Sequence, residues 1–346
     1  MNFEKVLYVG PDCRHPKGGV AAVLHSYSTF IDPFCFLATT KGGNAAKLFS
    51  VFTVAFVQFL WKLCNPTIKI VHIHGASNGS FWRKSILICF AKLFRKKIVY
   101  HIHGGGFKVF SKKHAHVVPY ILKKCDVIVA LSEHWKEFFE KEMKCKNVVV
   151  IPNVIEEPEE DHSFRKDDVC NFLFLGKICK EKGIFDLMDV LWENKNIFRN
   201  KLKLYVGGNG DKERLQGLIT KYDIGDMVEY AGFVSGERKR QLLNNSHVYI
   251  LPSYIEGLPI SILEAMSYHL PVISTNVGGI PEILRDDVEG YIIEAGNKTQ
   301  LKDAILKMVN MDDERLRMGE RAFQTCRPYM PEKVKKKLSM LYDSLI

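Results

Sequence analysis

The sequence predicts an α/β protein built from two doubly wound, mainly parallel sheets. Short apolar runs alternate with segments of helical period almost from end to end, and such alternation implies a parallel sheet covered on both faces. The alternation is interrupted at Pro152-Asn153-Val154 and the acidic stretch Glu156 to Asp161, which read as a linker. At 346 residues the chain also exceeds the ~250–300 at which a single core stops growing.

In the first set, Lys5 to Gly10 reads as a buried strand, and a helical pattern from Val20 puts Val23, Leu24 and Tyr27 on one face. An apolar helix at 48–64 leads to a strand at Ile68 to Ile73, a helix over Phe81 to Phe94 and a strand at Ile98 to Ile102. A helix over Val117 to Lys124, a strand at Asp126 to Ala130, a helix over Glu133 to Met143 and a strand at Val148 to Ile151 complete it. In the second set, strands are expected at Val169 to Leu175, Lys203 to Val206, Val228 to Tyr230, Val248 to Leu251, Pro271 to Ser274 and Tyr291 to Ile293. Helices are expected near 183–193, 211–221 and 236–244, from Pro259 onward, and over Glu332 to Leu345. No repeat or low-complexity segment is present.

Hydrophobic content of 47% and charged content of 25% belong to an ordinary globular protein and exclude a disordered or collagen-like chain. Nine scattered cysteines without a C-x-x-C pair read as reduced thiols in the cytoplasm, with no zinc-ligand spacing. The apolar run in Met1 to Val9 is too short for a secretory leader and reads as the first strand. Leu48 to Trp61, 14 residues between Lys47 and Lys62, falls short of the ~20 that a membrane span needs and is expected to be a buried or interfacial helix. The formal charge of +10 is unevenly placed: residues 1–155 carry 22 Lys and Arg against 8 Asp and Glu, net +14, and the remainder 27 against 31, net −4. The asymmetry points to an anionic partner for the N-terminal half (membrane surface, nucleic acid or acidic substrate) or to a solvated basic surface. No recognisable nucleic-acid module accompanies it.

The chemistry concentrates in Pro252-Ser253-Tyr254-Ile255-Glu256-Gly257-Leu258-Pro259-Ile260-Ser261-Ile262-Leu263-Glu264-Ala265-Met266. Pro259 suits a first helical position, which places Glu256 in the loop ahead of the helix and Glu264 inside it. Free backbone N–H groups at a helix mouth, with the positive end of its dipole, make an anion site. A carboxylate on each side suits a ligand carrying both phosphates and hydroxyls, a nucleotide sugar. The alternative is an ordinary strand–loop–helix with two surface glutamates. Ligands of open α/β sheets bind outside the carboxyl ends of the strands, so four loops are assigned to a cleft between the two domains. They are Gly18-Gly19, His103-Gly104, Lys177 to Gly183, and Glu256 to Pro259. A Gly-Gly pair before a helix permits close approach of a ligand to the backbone, but taken alone it reads first as a plain tight turn. Two lysines in the Lys177–Gly183 loop suit a pyrophosphate leaving group or a solvated pair.

With these residues in order, the chain resembles the retaining glycosyltransferases of family 4, the "glycosyl transferases group 1" set with the GT-B fold. Glu256-x7-Glu264 carries most of the likeness. It is supported by Pro271-Val272-Ile273, Gly278-Gly279-Ile280-Pro281-Glu282, Val71-His72-Ile73-His74-Gly75, His103-Gly104, Gly176 to Gly183 and Val206-Gly207-Gly208-Asn209-Gly210. The resemblance implies two Rossmann-like domains facing a cleft: 1–155 binding acceptor, 156–327 binding nucleotide sugar, and a helix at 328–346 returning to the first.

It implies that Glu264 meets the nucleotide ribose, that Glu256 lies by the donor sugar, and that Gly257, Leu258 and Ile260 offer backbone N–H groups around Pro259. Lys182 matches the pyrophosphate lysine, supported by Lys177. His103 matches a histidine that contacts the donor sugar, and Gly18 and Gly19 join the donor site. His72, His74 and His101 read as structural, and no metal or other cofactor is implied beyond the nucleotide-sugar co-substrate. Three positions depart from the pattern: Lys177 stands where arginine is usual, His269 replaces a glycine before Pro271, and Val154 replaces one after Pro152-Asn153.

The implied reaction is retaining transfer of a sugar to a glycan or lipid-linked acceptor, in cell-surface polysaccharide or lipopolysaccharide synthesis. The basic N-terminal half and the apolar 48–61 segment suit an anionic membrane surface, placing the protein peripherally at the inner face of the plasma membrane rather than on nucleic acid. A sugar-nucleotide epimerase of GT-B fold and a non-catalytic nucleotide-binding protein are the alternatives.

Overall fold

The structure, a computed structural model, describes residues 2–14, 18–156, 158 and 169–346. Residues 15–17 of the first glycine loop, and 157 and 159–161 of the expected linker, lie outside the described residues. The chain divides into two compact units, Met1–Glu156 with Tyr329–Ile346, and Glu157–Pro328.

The first unit holds a sheet of β1 (Val6–Gly10), β2 (Phe36–Ala38), β3 (Ile70–Gly75), β4 (Lys97–Ile102), β5 (Val127–Ala130) and β6 (Val148–Val150). Its order is β2-β1-β3-β4-β5-β6 with every pair parallel. The strands are connected through α1 (Gly19–Phe30), α2 (Ala45–Leu63), α3 (Gly79–Leu93), α4 (Phe107–Lys113), α5 (Val117–Leu122) and α6 (Glu133–Lys141). Successive strand residues face opposite sides of a sheet. Leu7, Val9, Val71, Ile73, Ile98, Tyr100 and Ile102 join Phe59 and Leu63 of α2 and Leu87 and Ile88 of α3 in one apolar core. The alternate residues Tyr8, His72, His74 and His101 form a buried row of rings on the other face.

The second unit holds β7 (Cys170–Leu175), β8 (Leu202–Gly207), β9 (Val228–Gly232), β10 (Val248–Leu251), β11 (Val272–Thr275) and β12 (Gly290–Ile293). Its helices are α7 (Ile184–Glu193), α8 (Lys195–Phe198), α9 (Lys212–Tyr222), α10 (Gly236–Asn244), α11 (Ile260–Ser267), α12 (Lys298–Asn310) and α13 (Asp312–Cys326). The order is β12-β11-β10-β7-β8-β9, again all parallel. The chain builds outward from β7 through β8 and β9, then restarts at β10 on β7's other side. The topological switch point, where ligands of such sheets bind, therefore lies between the loops that follow β7 and β10.

A last helix, α14 (Pro331–Asp343), rejoins the first unit, where it packs on α1. Tyr342 Oη lies 2.6 Å from His72 Nδ1, and Asn2 donates to Asp343 at 2.7 Å.

Among the described residues, β2, α4, α8, α12 and α13 were not anticipated from the sequence. β2 is three residues long, and α12 and α13 are rich in charged and amide side chains. The apolar segment near 48–61 needs a correction. Asn44 caps it, accepting from Lys47 N at 3.0 Å, and α2 runs 19 residues. Ala46–Leu63, of mean hydropathy 1.4, is long and apolar enough to cross a membrane, so shortness does not exclude a span. Nor is the helix buried as a whole: one stripe, Ala55, Phe59 and Leu63, packs on the sheet, while Phe49 and Trp61 are 74% and 76% exposed. All nine cysteines are free thiols.

Candidate functional site

The loop after β7 closes into a single 3-10 turn, Lys180–Lys182, which ends on Gly183 in the left-handed region at φ 70°. Only glycine fits there, because a Cβ would stand 1.9 Å from the Pro252 carbonyl oxygen. This contact brings the β7 loop against the β10 loop, and Tyr254 N donates to Glu181 O across the seam at 2.8 Å. Tyr254 Oη also donates to Asp186 of α7 at 2.7 Å.

At the seam, Lys182 Nζ pairs with Glu256 Oε1. Ser253 Oγ donates to the same carboxylate oxygen at 2.8 Å, and Glu256 is only 7% exposed. Gly278, at φ 58°, carries the β11 loop beneath: a Cβ there would meet the Glu256 carbonyl at 2.2 Å, and Gly279 N donates to Gly257 O at 2.6 Å. The β7 and β11 loops thus pack on the β10 loop on either side of Glu256, and Lys182 and Ser253 hold its carboxylate in place.

Beyond Gly257 and Leu258, Pro259 sits at the N-cap with ψ 119° rather than at the first helical position expected of it, which Ile260 takes. No side chain caps α11 and no acidic residue occupies its first turn. The amides of Ile260, Ser261 and Ile262 therefore have no acceptor within the helix and sit at the positive end of its dipole. Glu264, one turn on and partly exposed, receives Lys239 Nζ from α10 at 2.7 Å. Lys177 is exposed at the end of the β7 strand, without an ion-pair partner among the described residues. Lys182, Glu256, Gly257, Leu258, Pro259, Ile260 and Glu264 are therefore one constellation. Sequence reasoning passed over Ser253 and Lys239 as its polar anchors. Ser253 lies in the quoted stretch, whereas Lys239 sits in an unremarkable charged run, Glu237-Arg238-Lys239-Arg240.

His103, Gly18 and Gly19 belong to the first unit. Gly18, at φ 125°, precedes α1 with no side-chain cap. His103 follows β4, donates its backbone N–H to Gly75 O at 2.8 Å and is 5% exposed. Burial pushes its imidazole down to about 4, against an opposing side-chain interaction with Asn153. Burial likewise takes His72 down to about 3 and His74 and His101 well below the ordinary range. One ligand atom from each of His72, His74 and His101 falls within 4.8 Å of the others. Their rings stack, however, at centroid distances of 4.5 to 5.5 Å and interplanar angles of 14° to 37°. Lone pairs lie in the ring planes, so stacked imidazoles direct them side by side rather than toward one ion, and the trio fits a packing role.

Two parallel sheets with helices on both faces, one of them with an uncapped helix and a lysine–glutamate pair at its switch point, define a doubly wound α/β protein with a nucleotide-type crevice. The profile of the family described as Glycosyl transferases group 1 matches residues 156–325, and that described as Glycosyltransferase Family 4 matches 42–157. The chain belongs to these family 4 glycosyltransferases and has the GT-B fold. It is 29% identical over 303 residues to the amylovoran biosynthesis glycosyltransferase AmsD of Erwinia amylovora, covering 85% of this chain and 82% of that one. It is 26% identical over 274 residues to an Escherichia coli UDP-Gal:alpha-D-GlcNAc-diphosphoundecaprenol alpha-1,3-galactosyltransferase, covering 72% and 69%. Among solved structures, Anabaena HepE in complex with UDP superposes with a TM-score of 0.78 at 15% identity, over 98% of this chain and all of that one.

Proposed function

We propose that this glycosyltransferase moves a sugar from a nucleoside-diphosphate sugar to a glycan or lipid-linked acceptor, retaining the anomeric configuration and needing no metal. The observation that carries the reading is the uncapped N-terminus of α11 set between Glu256, with its Lys182, and Glu264. The helix amides and Lys182, with Lys177 nearby in sequence, stabilise the departing diphosphate as its charge develops. Glu264 exchanges Lys239 for the ribose hydroxyls, and Glu256 orients the sugar. Lys182 and Ser253 already hold the Glu256 carboxylate, a posture for recognition rather than for attack as a glycosidase nucleophile. In this reading the second unit binds donor, the first unit binds acceptor, and His103, Gly18 and Gly19 contribute to the donor from the first. The leaving phosphate itself takes the acceptor proton.

The name of the Escherichia coli relative supports an acceptor on a diphosphoundecaprenol carrier, that of AmsD supports a biosynthetic glycosyltransferase role, and the HepE complex supports a uridine nucleotide. The net +14 of residues 1–155, with the exposed Phe49, Val54, Val57 and Trp61 on α2 and Trp82, Ile86 and Leu93 on α3, supports peripheral attachment to the anionic inner face of the plasma membrane. The test is thermal-shift binding of UDP-, GDP- and ADP-sugars to the wild type, Glu264→Ala and Lys182→Ala. Labelled-sugar transfer to a diphosphoundecaprenol-linked acceptor follows, with EDTA present and the product anomer read by NMR. One nucleotide should stabilise the wild type and neither variant, with transfer surviving EDTA. Donor conversion without acceptor would instead identify an epimerase, and an inverted product would end the retaining assignment.

A further inference from the structure

Four imidazoles line the face of the first sheet that α1 and α14 cover. His74 of β3 pairs in register with His101 of β4, with His72 two residues before one and His103 two residues after the other. His74 and His103 stack with centroids 5.2 Å apart, and His74 Nδ1 lies 3.0 Å from His103 Nε2. His74 is fully buried, and its Nε2 has no hydrogen-bond partner among the described residues. Both rings are neutral at pH 7, burial holding His103 at about 4 and His74 well below the ordinary range, so the shared bond contains one proton.

Burial decides which ring donates it. If His103 donated from Nε2, His74 would accept on Nδ1 and carry its own proton on Nε2, a buried N–H with no acceptor. Buried orphan donors are rarer than under-used acceptors. If His74 donates from Nδ1, its Nε2 is a bare lone pair and no buried N–H is stranded. The His103 proton then resides on Nδ1.

We infer that His74 is a positioning residue: its Nδ1–H donates to His103 Nε2 and holds His103 as the Nδ1–H tautomer, a fixed hydrogen-bond donor for a ligand hydroxyl. The catalytic consequence rests on the proposed contact between His103 and the donor sugar; the tautomer does not. Without His74 the His103 ring is free to rotate and to exchange its proton between nitrogens, and the sugar contact loses its orientation.

The test begins with the wild-type enzyme carrying ¹⁵N-labelled histidine, the His103 signals being assigned by their loss in His103→Gln. At pH 7 His103 should show a protonated Nδ1 and an unprotonated Nε2. His74→Leu should mix the tautomers and lower kcat about tenfold, the equivalent of one hydrogen bond, and His74→Asn, whose amide places an N–H near the former Nδ1, should restore most of it. A wild-type His103 protonated on Nε2, or an Asn variant as impaired as Leu, overturns the inference. If the tautomer is as inferred but His103→Gln leaves donor kinetics unchanged, the proposed sugar contact fails and the His74 pairing stands.

Discussion

The Lys182 ammonium is ion-paired to the Glu256 carboxylate, which Ser253 also holds at 2.8 Å. The cation proposed for the leaving diphosphate is thus kept in place by the anion proposed for the sugar, and the two are poised to part when donor arrives. Lys182→Met should lower kcat/KM about 10²–10³-fold, as loss of one transition-state donor does elsewhere. It should also lower stability, because it leaves a buried carboxylate with Ser253 alone. Lys182 keeps part of its side chain in solvent, so the loss should be about 1–3 kcal/mol rather than the ~3–5 of a fully buried pair. The double variant Lys182→Met with Glu256→Gln should regain the melting temperature without regaining activity. Recovery of both would show that the pair does not serve the diphosphate.

That pairing also marks where the sequence stopped being readable. The strands that become β3, β4, β7 and β10 are short runs rich in β-branched and aromatic residues, broken only by His72, His74, His101 and Asn171, which is how parallel strands covered on both faces read. The loop residues Glu256 and Gly257 and the helix residue Glu264 were recognisable because phosphate chemistry demands an uncapped helix behind a glycine. Their contact with Lys182, 74 residues away, depends on β7 and β10 being neighbours at the switch point, which no local pattern encodes. The same holds for Lys239 on Glu264: its helix was anticipated, its partner was not. Polar helices such as α12 and α13 bury only a narrow stripe, and β2 is too short for any alternation to register.

His269 explains one departure from the family pattern. Its backbone is left-handed at φ 55°, the conformation that the usual glycine adopts without strain. The histidine ring stacks on Phe323 at 4.2 Å and 12°, and Nδ1 lies 3.1 Å from Glu320, so α13 supports the strained residue. His269→Ala keeps the strain and loses the support; His269→Gly loses both. The glycine variant should therefore unfold at higher denaturant than the alanine variant, by about 1 kcal/mol. Equal midpoints would show that the backbone relaxes when the ring is removed.

The exposed residues of α2 make a prediction about membranes that is separable from catalysis. Phe49 and Trp61 lie on the outward stripe, so Phe49→Ser with Trp61→Ser should leave the melting temperature unchanged. Inserting each ring into a bilayer contributes about 1.5–3 kcal/mol, so vesicle binding should fall at least tenfold. Basic side chains near an anionic surface add about 1 kcal/mol each, and rising salt should weaken binding to phosphatidylglycerol vesicles in cosedimentation. Equal binding to neutral vesicles at every salt concentration would remove the electrostatic part of the proposal.

The buried imidazoles make the first unit acid-sensitive. His72 and His103 are held at about 3 and about 4, and His74 and His101 are also depressed, in each case chiefly by burial. Above the ordinary histidine value, near 6.5, both native and unfolded chains keep these rings neutral and they contribute nothing. As pH falls below 6.5 the unfolded chain binds protons that the native chain refuses, and stability drops by about 1.4 kcal/mol per pH unit for each ring. The loss continues until each folded value is reached. Thermal unfolding at pH 7.5, 6.0 and 5.0 should show this slope, and His101→Leu should reduce it by one ring's share while leaving the pH 7.5 midpoint within a few degrees. If the slope is the same in wild type and His101→Leu, the acid sensitivity arises elsewhere in the chain.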